Sequence, residues 1–415
     1  MRRVIAYAAA GAICALSLAG CGEKAASASS AGSTDAGTTA ETAAGTYAAE
    51  STPADAEGNA EAYVIGSCGP ITGATAIYGT AVKDGAELAV REINEAGGIN
   101  GHPIRFLFED DENDPEKGVN AYNTMKDQGM QMLVGATTAG PTLAIGAESE
   151  KDNMFQIAPS ATAKDVTKPE NVYRMTLSGP IQGGKIADYI ADNALAEKVG
   201  ILYDSSDVYS GDIYQEFARH AEEKGLDLVD VETFTSDSKT DFKVQLMKLK
   251  ETGADLVFMP VYYTEASLIL KQARDMDYAP QFFGGNGMDG ILDIPNFDKS
   301  LAEGLILVSS FASDMSDPKA SRFVTDYKEY SGGIAPLQFS AEAYDCVYVI
   351  KAAIEAAGVT PEQSASEIGD ALEQVMPTIQ YDGLTGTGIT FSEDGEPQKA
   401  LMTVEIRDGA YHVRK

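Results

Sequence analysis

Apolar residues follow two rhythms along this chain, and from about residue 62 onward the two alternate. The first pair organises the rest. Residues 63–67 are a short apolar run that predicts a buried strand, and Gly66, Gly69, Pro70 and Gly73 predict a turn after it. Then Val82, Ala86, Ala89, Val90 and Ile93 recur at intervals of three and four, the spacing of one apolar helical face. Lys83, Asp84, Glu87, Arg91 and Glu92 take the opposite side, and Gly97-Gly98 ends the helix. Further strands are predicted at 104–108, 131–134, 155–158, 199–203, 228–234, 256–261, 281–284 and 305–311. Helices are predicted between them, among others at 116–128, 141–152, 319–330, 341–357 and 361–375. Repetition of this kind implies an α/β fold with parallel sheets. From about residue 381 the pattern breaks into turns, such as Tyr381-Asp382-Gly383, between short strands that include 400–406 and 410–413.

The first sixty or so residues follow neither rhythm. Met1-Arg2-Arg3 precedes sixteen uncharged residues, and the run ends in Leu18-Ala19-Gly20-Cys21. That is the layout of an export signal, shorter than the stretch of about 20 apolar residues that spans a membrane. Its end resembles a lipoprotein box, in which Cys21 carries lipid and becomes the first residue of the processed chain. Two acyl chains there would give a stable anchor. Residues 22–61 are nearly all Ala, Ser, Gly, Thr and acids, which bury too little apolar surface to fold, so a disordered linker is expected. Forty such residues have a root-mean-square span of about 35 Å.

The 415 residues predict more than one domain, and the formal charge is −32, or −34 once Arg2 and Arg3 are removed. So acidic a surface disfavours nucleic acid and anionic membranes. Of the four cysteines, Cys14 leaves with the signal, and Cys68 and Cys346 are expected as separate buried thiols.

Candidate chemistry points to binding. The acidic run from Glu109 to Asp114 lacks the Gly and Glu register of a calcium loop, and Asp114 before Pro115 reads as a helix cap. His102, His220 and His412 form no metal-spaced cluster, and no Walker, G-x-G-x-x-G or G-x-S-x-G sequence occurs. No metal, cofactor or catalytic group is expected. Polar residues instead collect where strands end: Thr137, Thr138 and Ala139 lead into one helix, and Ser160, Ala161 and Thr162 follow another strand. Free backbone N–H groups at such a helix start bind a carboxylate without a cationic side chain.

The run GPITGATAIYGTAVKDGAELAVREINEAGGINGHPI, residues 69–104, resembles the opening of extracytoplasmic solute-binding proteins of the branched-chain amino acid (leucine/isoleucine/valine-binding) family, which feed ABC importers. The resemblance extends from about residue 62 to the C-terminus. It implies a periplasmic-binding-protein type I fold: two Rossmann-like lobes with parallel central sheets, joined by a hinge that the chain crosses more than once. The implied lobes are 62–178 with 309–378, and 179–308 with 379–415. It also implies a monomer that binds an amino acid ligand, docks on an ABC permease and works outside the cytoplasm, tethered to the membrane through its lipid anchor. The same lobes serve sensor modules that signal to membrane receptors, which is the alternative reading.

Carried over by this resemblance, Ser160 and Thr162 match positions that bind the ammonium and carboxylate of an amino acid. Tyr78 matches an aromatic at the mouth, Tyr209 and Tyr262 match aromatics from the second lobe, and Phe339 matches another contact. Two positions depart from the family's pattern. Ala139 stands where Ser is common, so Thr137 or Thr138 is expected to supply the hydroxyl. Asn286 stands where an acid is common, which makes Asp289 the nearest carboxylate for an ammonium and Glu265 the second choice.

Overall fold

The computed structural model describes residues 61–414. The signal with Cys21 and nearly all of the linker lie outside the described residues.

The opening unit is β1 (Tyr63–Gly69) followed by α1 (Ala76–Glu95), and all seven residues of β1 are buried. A strand buried on both faces belongs inside a parallel sheet with helices on either side. The chain continues through β2 (Ile104–Asp110), α2 (Pro115–Asp127), β3 (Met132–Gly135), α3 (Ala139–Asp152), β4 (Phe155–Ala158) and β5 (Val172–Arg174). These strands form one sheet in the order β2-β1-β3-β4-β5, parallel throughout.

The chain then crosses to a second sheet. It runs through α4 (Gly179–Asp192), β6 (Val199–Asp204), α5 (Val208–Lys224), β7 (Leu228–Phe234), α6 (Lys243–Thr252), β8 (Leu256–Met259), α7 (Tyr263–Asp275), β9 (Gln281–Gly284) and β10 (Ile306–Ser309). It returns to cover the first sheet with α8 (Pro318–Tyr330), α9 (Gln338–Ala357) and α10 (Ala365–Val375), where α9 packs along α1. That approach needs Gly85, because a Cβ there would stand 2.1 Å from the Ser340 carbonyl oxygen. A glycine inside a helix costs about 1 kcal/mol, and the close packing is what it makes room for.

The tail is shared between the lobes. β11 (Gln380–Tyr381), β12 (Ile389–Phe391) and β13 (Pro397–Gln398) form a small antiparallel sheet. It is held to the first lobe, where the Asp345 carboxylate of α9 accepts from the backbone N–H groups of Leu384 and Thr385, each at 2.9 Å. A third crossing leads to β14 (Met402–Arg407) and β15 (Ala410–Val413), which complete a seven-stranded sheet in the order β15-β14-β10-β9-β8-β6-β7. Its β10–β14 and β14–β15 pairings are antiparallel and the others parallel, so β14 alone runs against the rest. One buried carboxylate touches two of the crossings: Glu342 of α9 accepts from the Ser310 hydroxyl at 2.8 Å and lies 3.7 Å from the Lys399 ammonium. Cys68 and Cys346 are buried and free.

In both sheets the strand order reverses once, between β1 and β3 and between β6 and β8. Doubly wound sheets open their ligand crevice at the carboxyl ends of the strands flanking such a reversal.

Candidate functional site

The loops leaving β1, β3 and β4 in the first lobe face those leaving β6, β8 and β9 in the second. Between them is a narrow cavity of about 20 Å³. Its lining brings together Tyr78, Thr137, Thr138, Ala139, Ser160, Ala161, Thr162, Tyr209, Tyr262, Asn286 and Phe339, and adds Gly287.

Four aromatic rings account for the narrowness. Tyr209 and Tyr262 stack with centroids 4.8 Å apart and planes 13° apart, while Tyr78 meets Phe339 edge to face at 4.8 Å. The Tyr78 hydroxyl also clasps the lobes together. It donates to the Gly287 carbonyl and accepts from the Tyr263 N–H at 3.2 Å. Burial pushes the hydroxyl pKa values of Tyr78, Tyr209 and Tyr262 up, so all three stay protonated and neutral.

The polar contributions differ from those expected. The Thr137 hydroxyl donates to the Cys68 carbonyl at 3.2 Å and the Thr138 hydroxyl to Asn113 at 2.6 Å. The Ser160 hydroxyl donates to the Thr137 carbonyl at 2.6 Å. These three hold the loops in place. The Thr162 hydroxyl and Asn286 Oδ1 are buried without a hydrogen-bond partner. Thr138 begins α3 without a side-chain cap, so the Ala139 and Gly140 N–H groups at this helix start have no cap, and Thr138 and Ala139 line the cavity. Thr162, the start of α3 and Asn286 can therefore receive a carboxylate and one neutral or weakly charged donor.

Asp289 is not brought to this cavity. Its carboxylate accepts from the Gln338 N–H at 2.9 Å, capping α9, and burial raises its pKa to about 7. Glu265 is the third residue of α7 and lines a neighbouring cavity. Gly287 was missed by residue-level reading. Its N–H donates to the Tyr209 hydroxyl at 2.9 Å, and a Cβ there would stand 2.6 Å from that oxygen. The run Gly284-Gly285-Asn286-Gly287 was the available signal, since glycine clusters mark close backbone approach.

Arg174, at the end of β5, supports the site from behind and was also missed. Its side chain is fully buried and lies 2.7 Å from the Glu396 carboxylate. It donates to the carbonyls of Ala163 at 2.9 Å and Ala161 at 3.4 Å, in the loop that carries Thr162.

The family model described as periplasmic binding protein matches residues 62–410. A Leu/Ile/Val-binding protein homolog from Brucella melitensis is 31% identical over 335 residues, covering 80% of this chain and 88% of its own. A leucine-, isoleucine-, valine-, threonine- and alanine-binding protein from Pseudomonas aeruginosa is 29% identical, covering 83% and 90%. Among solved structures, the branched-chain amino acid transporter substrate-binding protein LivJ from Streptococcus pneumoniae, in complex with isoleucine, superposes with a TM-score of 0.77. It is 29% identical and is covered in full by 86% of this chain.

Proposed function

Because this chain belongs to the periplasmic binding protein family, we propose that it captures an amino acid, branched-chain or similarly small, and delivers it to an ABC importer. The observation that carries the reading is the cavity built at the reversal points of both sheets. Neutral hydroxyls and helix-start N–H groups meet four aromatic rings there. Binding acts through hinge closure: the lobes come together over the solute, exclude water and strengthen each polar contact. In this reading the lobes are 62–178 with 309–378, and 179–308, with the tail divided between them. No covalent step is involved. Thr162 and the start of α3 hold the carboxylate, Ser160 steadies their loops through the Thr137 carbonyl, and the tyrosines offer an apolar face with a hydroxyl at low rotamer cost.

A thermal-shift panel tests this directly. Free amino acids should include a strong stabiliser, since a ligand at 100 times its dissociation constant adds about 2.7 kcal/mol. Sugars and nucleosides should leave the transition where it is. A response to sugars alone would remove the amino acid assignment.

A tether would keep the receptor close to its membrane. The box ending in Cys21 and the linker after it support a diacyl anchor, with the receptor extracytoplasmic, monomeric and free to swing above its permease. Cys21→Ser should abolish incorporation of a labelled fatty acid. Persistent label on that variant would refute the anchor.

A further inference from the structure

A second cavity, of about 270 Å³, opens between the lobes and shares Tyr209 and Tyr262 with the first. A hydrogen bond links the two, because Thr138 of the first cavity donates to Asn113, which lines the second. The volume is several times the ~30 Å³ that a water molecule occupies in the liquid, so a group of several heavy atoms fits.

The walls are electrically one-sided. Glu112, Asp204, Asp207 and Glu265 line the cavity against a single ammonium, Lys239. Three of the carboxylates are engaged elsewhere. Glu112 pairs with Lys117 at 2.5 Å, Asp204 accepts from the Ser206 N–H at 2.8 Å, and Asp207 caps α5 by accepting from the Ser210 N–H at 3.0 Å. Glu265 is different. It is only 5% exposed, its Oε1 stands 3.5 Å from the Lys239 ammonium, and its Oε2 has no hydrogen-bond partner. A charge-assisted N–H···O bond closes to about 2.7–2.9 Å, so the lysine contact is loose. A buried carboxylate oxygen without a partner is costly, and an arriving cation would remove that cost. The Tyr262 ring on the same wall offers a further attraction, a cation over an aromatic face being worth about 0.5–2 kcal/mol.

The first cavity lacks that charge. Its lining contains no carboxylate, and the side-chain acceptor placed for an ammonium is the neutral Asn286 Oδ1. Negative charge between the lobes is concentrated one cavity further on.

We propose that the second cavity binds an organic cation, an alkylammonium or guanidinium group, with Glu265 as its principal partner. The group is either the side chain of a carboxylate-bearing solute seated in the first cavity or a separate small cation. The inference rests on the reading of the cleft as a solute site, and its test separates the two.

Isothermal titration calorimetry on the whole chain would use three probes: L-arginine, L-norleucine, whose tail is neutral, and methylguanidine, which lacks the amino acid part. L-Arginine is expected to bind at least tenfold more tightly than L-norleucine. Glu265→Gln should bring the two affinities together, and Lys239→Met, which removes the competing ammonium, should tighten L-arginine further. Methylguanidine binding that Glu265→Gln abolishes, without an arginine preference, would support the same site filled by a separate cation. Norleucine binding with no preference for arginine and no methylguanidine binding would overturn the cation site while leaving the amino acid reading intact. Failure of all three probes would overturn the cation site, and a response of the thermal-shift panel to sugars alone would overturn the amino acid reading as well.

Discussion

Arg174→Met should lower the unfolding free energy by about 3–5 kcal/mol, the usual effect of removing one partner from a buried ion pair. Glu396 would keep a half-buried charge that has lost its guanidinium, and the carbonyls of Ala161, Ala163 and Lys164 would lose their donors. Those carbonyls fix the loop of Ser160 and Thr162, so ligand affinity should fall along with stability. Arg174→Lys keeps the charge but loses the planar fork, and should lie between the two. Adding Glu396→Gln to Arg174→Met removes the stranded charge and should restore part of the loss. Urea denaturation with a parallel ligand titration checks all three. A loss under about 1 kcal/mol for Arg174→Met would mean that packing, and not the charge network, holds this loop.

The protein should be more stable at pH 5.5 than at pH 8, by several kcal/mol. Asp289 and Asp111 are both buried, and burial raises each pKa to about 7 from a reference of 3.8. A carboxyl with a raised folded-state pKa binds its proton more readily folded than unfolded. Its stabilisation is therefore complete below about pH 4 and lost as pH climbs through 7. Each pKa unit corresponds to about 1.4 kcal/mol, and two groups crossing most of that interval give an effect on the order of 3 kcal/mol. Asp84 and Asp207, each raised by burial to about 6, act in the same direction. Chemical denaturation across pH 5.5 to 8 measures the slope. Asp289→Asn should flatten it, because an amide keeps the α9 cap without titrating. A stability that rises over this interval would contradict the buried, protonated carboxyls.

Much of this architecture was legible in the residues. The run from Val82 to Ile93 lies buried on α1 as its spacing predicted, and Asp114 caps α2 by accepting from the Glu116 and Lys117 N–H groups. Those features are local, written within one or two helical turns. The resemblance supplied Tyr209, Tyr262 and Phe339, which lie far apart in sequence and which periodicity alone would have left in the core. Asp289 shows where residue reading stops. Sequence places it three residues after Asn286, but its direction depends on Gln338, 49 residues away. Arg174 was hidden for the same reason. Nothing in Asn171-Val172-Tyr173-Arg174 says that the guanidinium turns inward, because its partner Glu396 arrives only with the third small sheet. Strands β11 to β13 are two or three residues long, too short for any alternation to register.

The shared tail has a consequence for how the chain is made. Synthesis proceeds from the N-terminus, yet the second lobe waits for β14 and β15 to close over β10, and the first waits for helices that follow the whole second lobe. The Tyr63 hydroxyl of the first strand donates to the Val359 carbonyl, 296 positions later. Until those partners emerge, β10 presents a bare edge and one sheet face lacks its cover, both of which invite association with other chains. Pairings this distant in sequence also form slowly. The nascent chain therefore stays without its native structure until its final strands arrive.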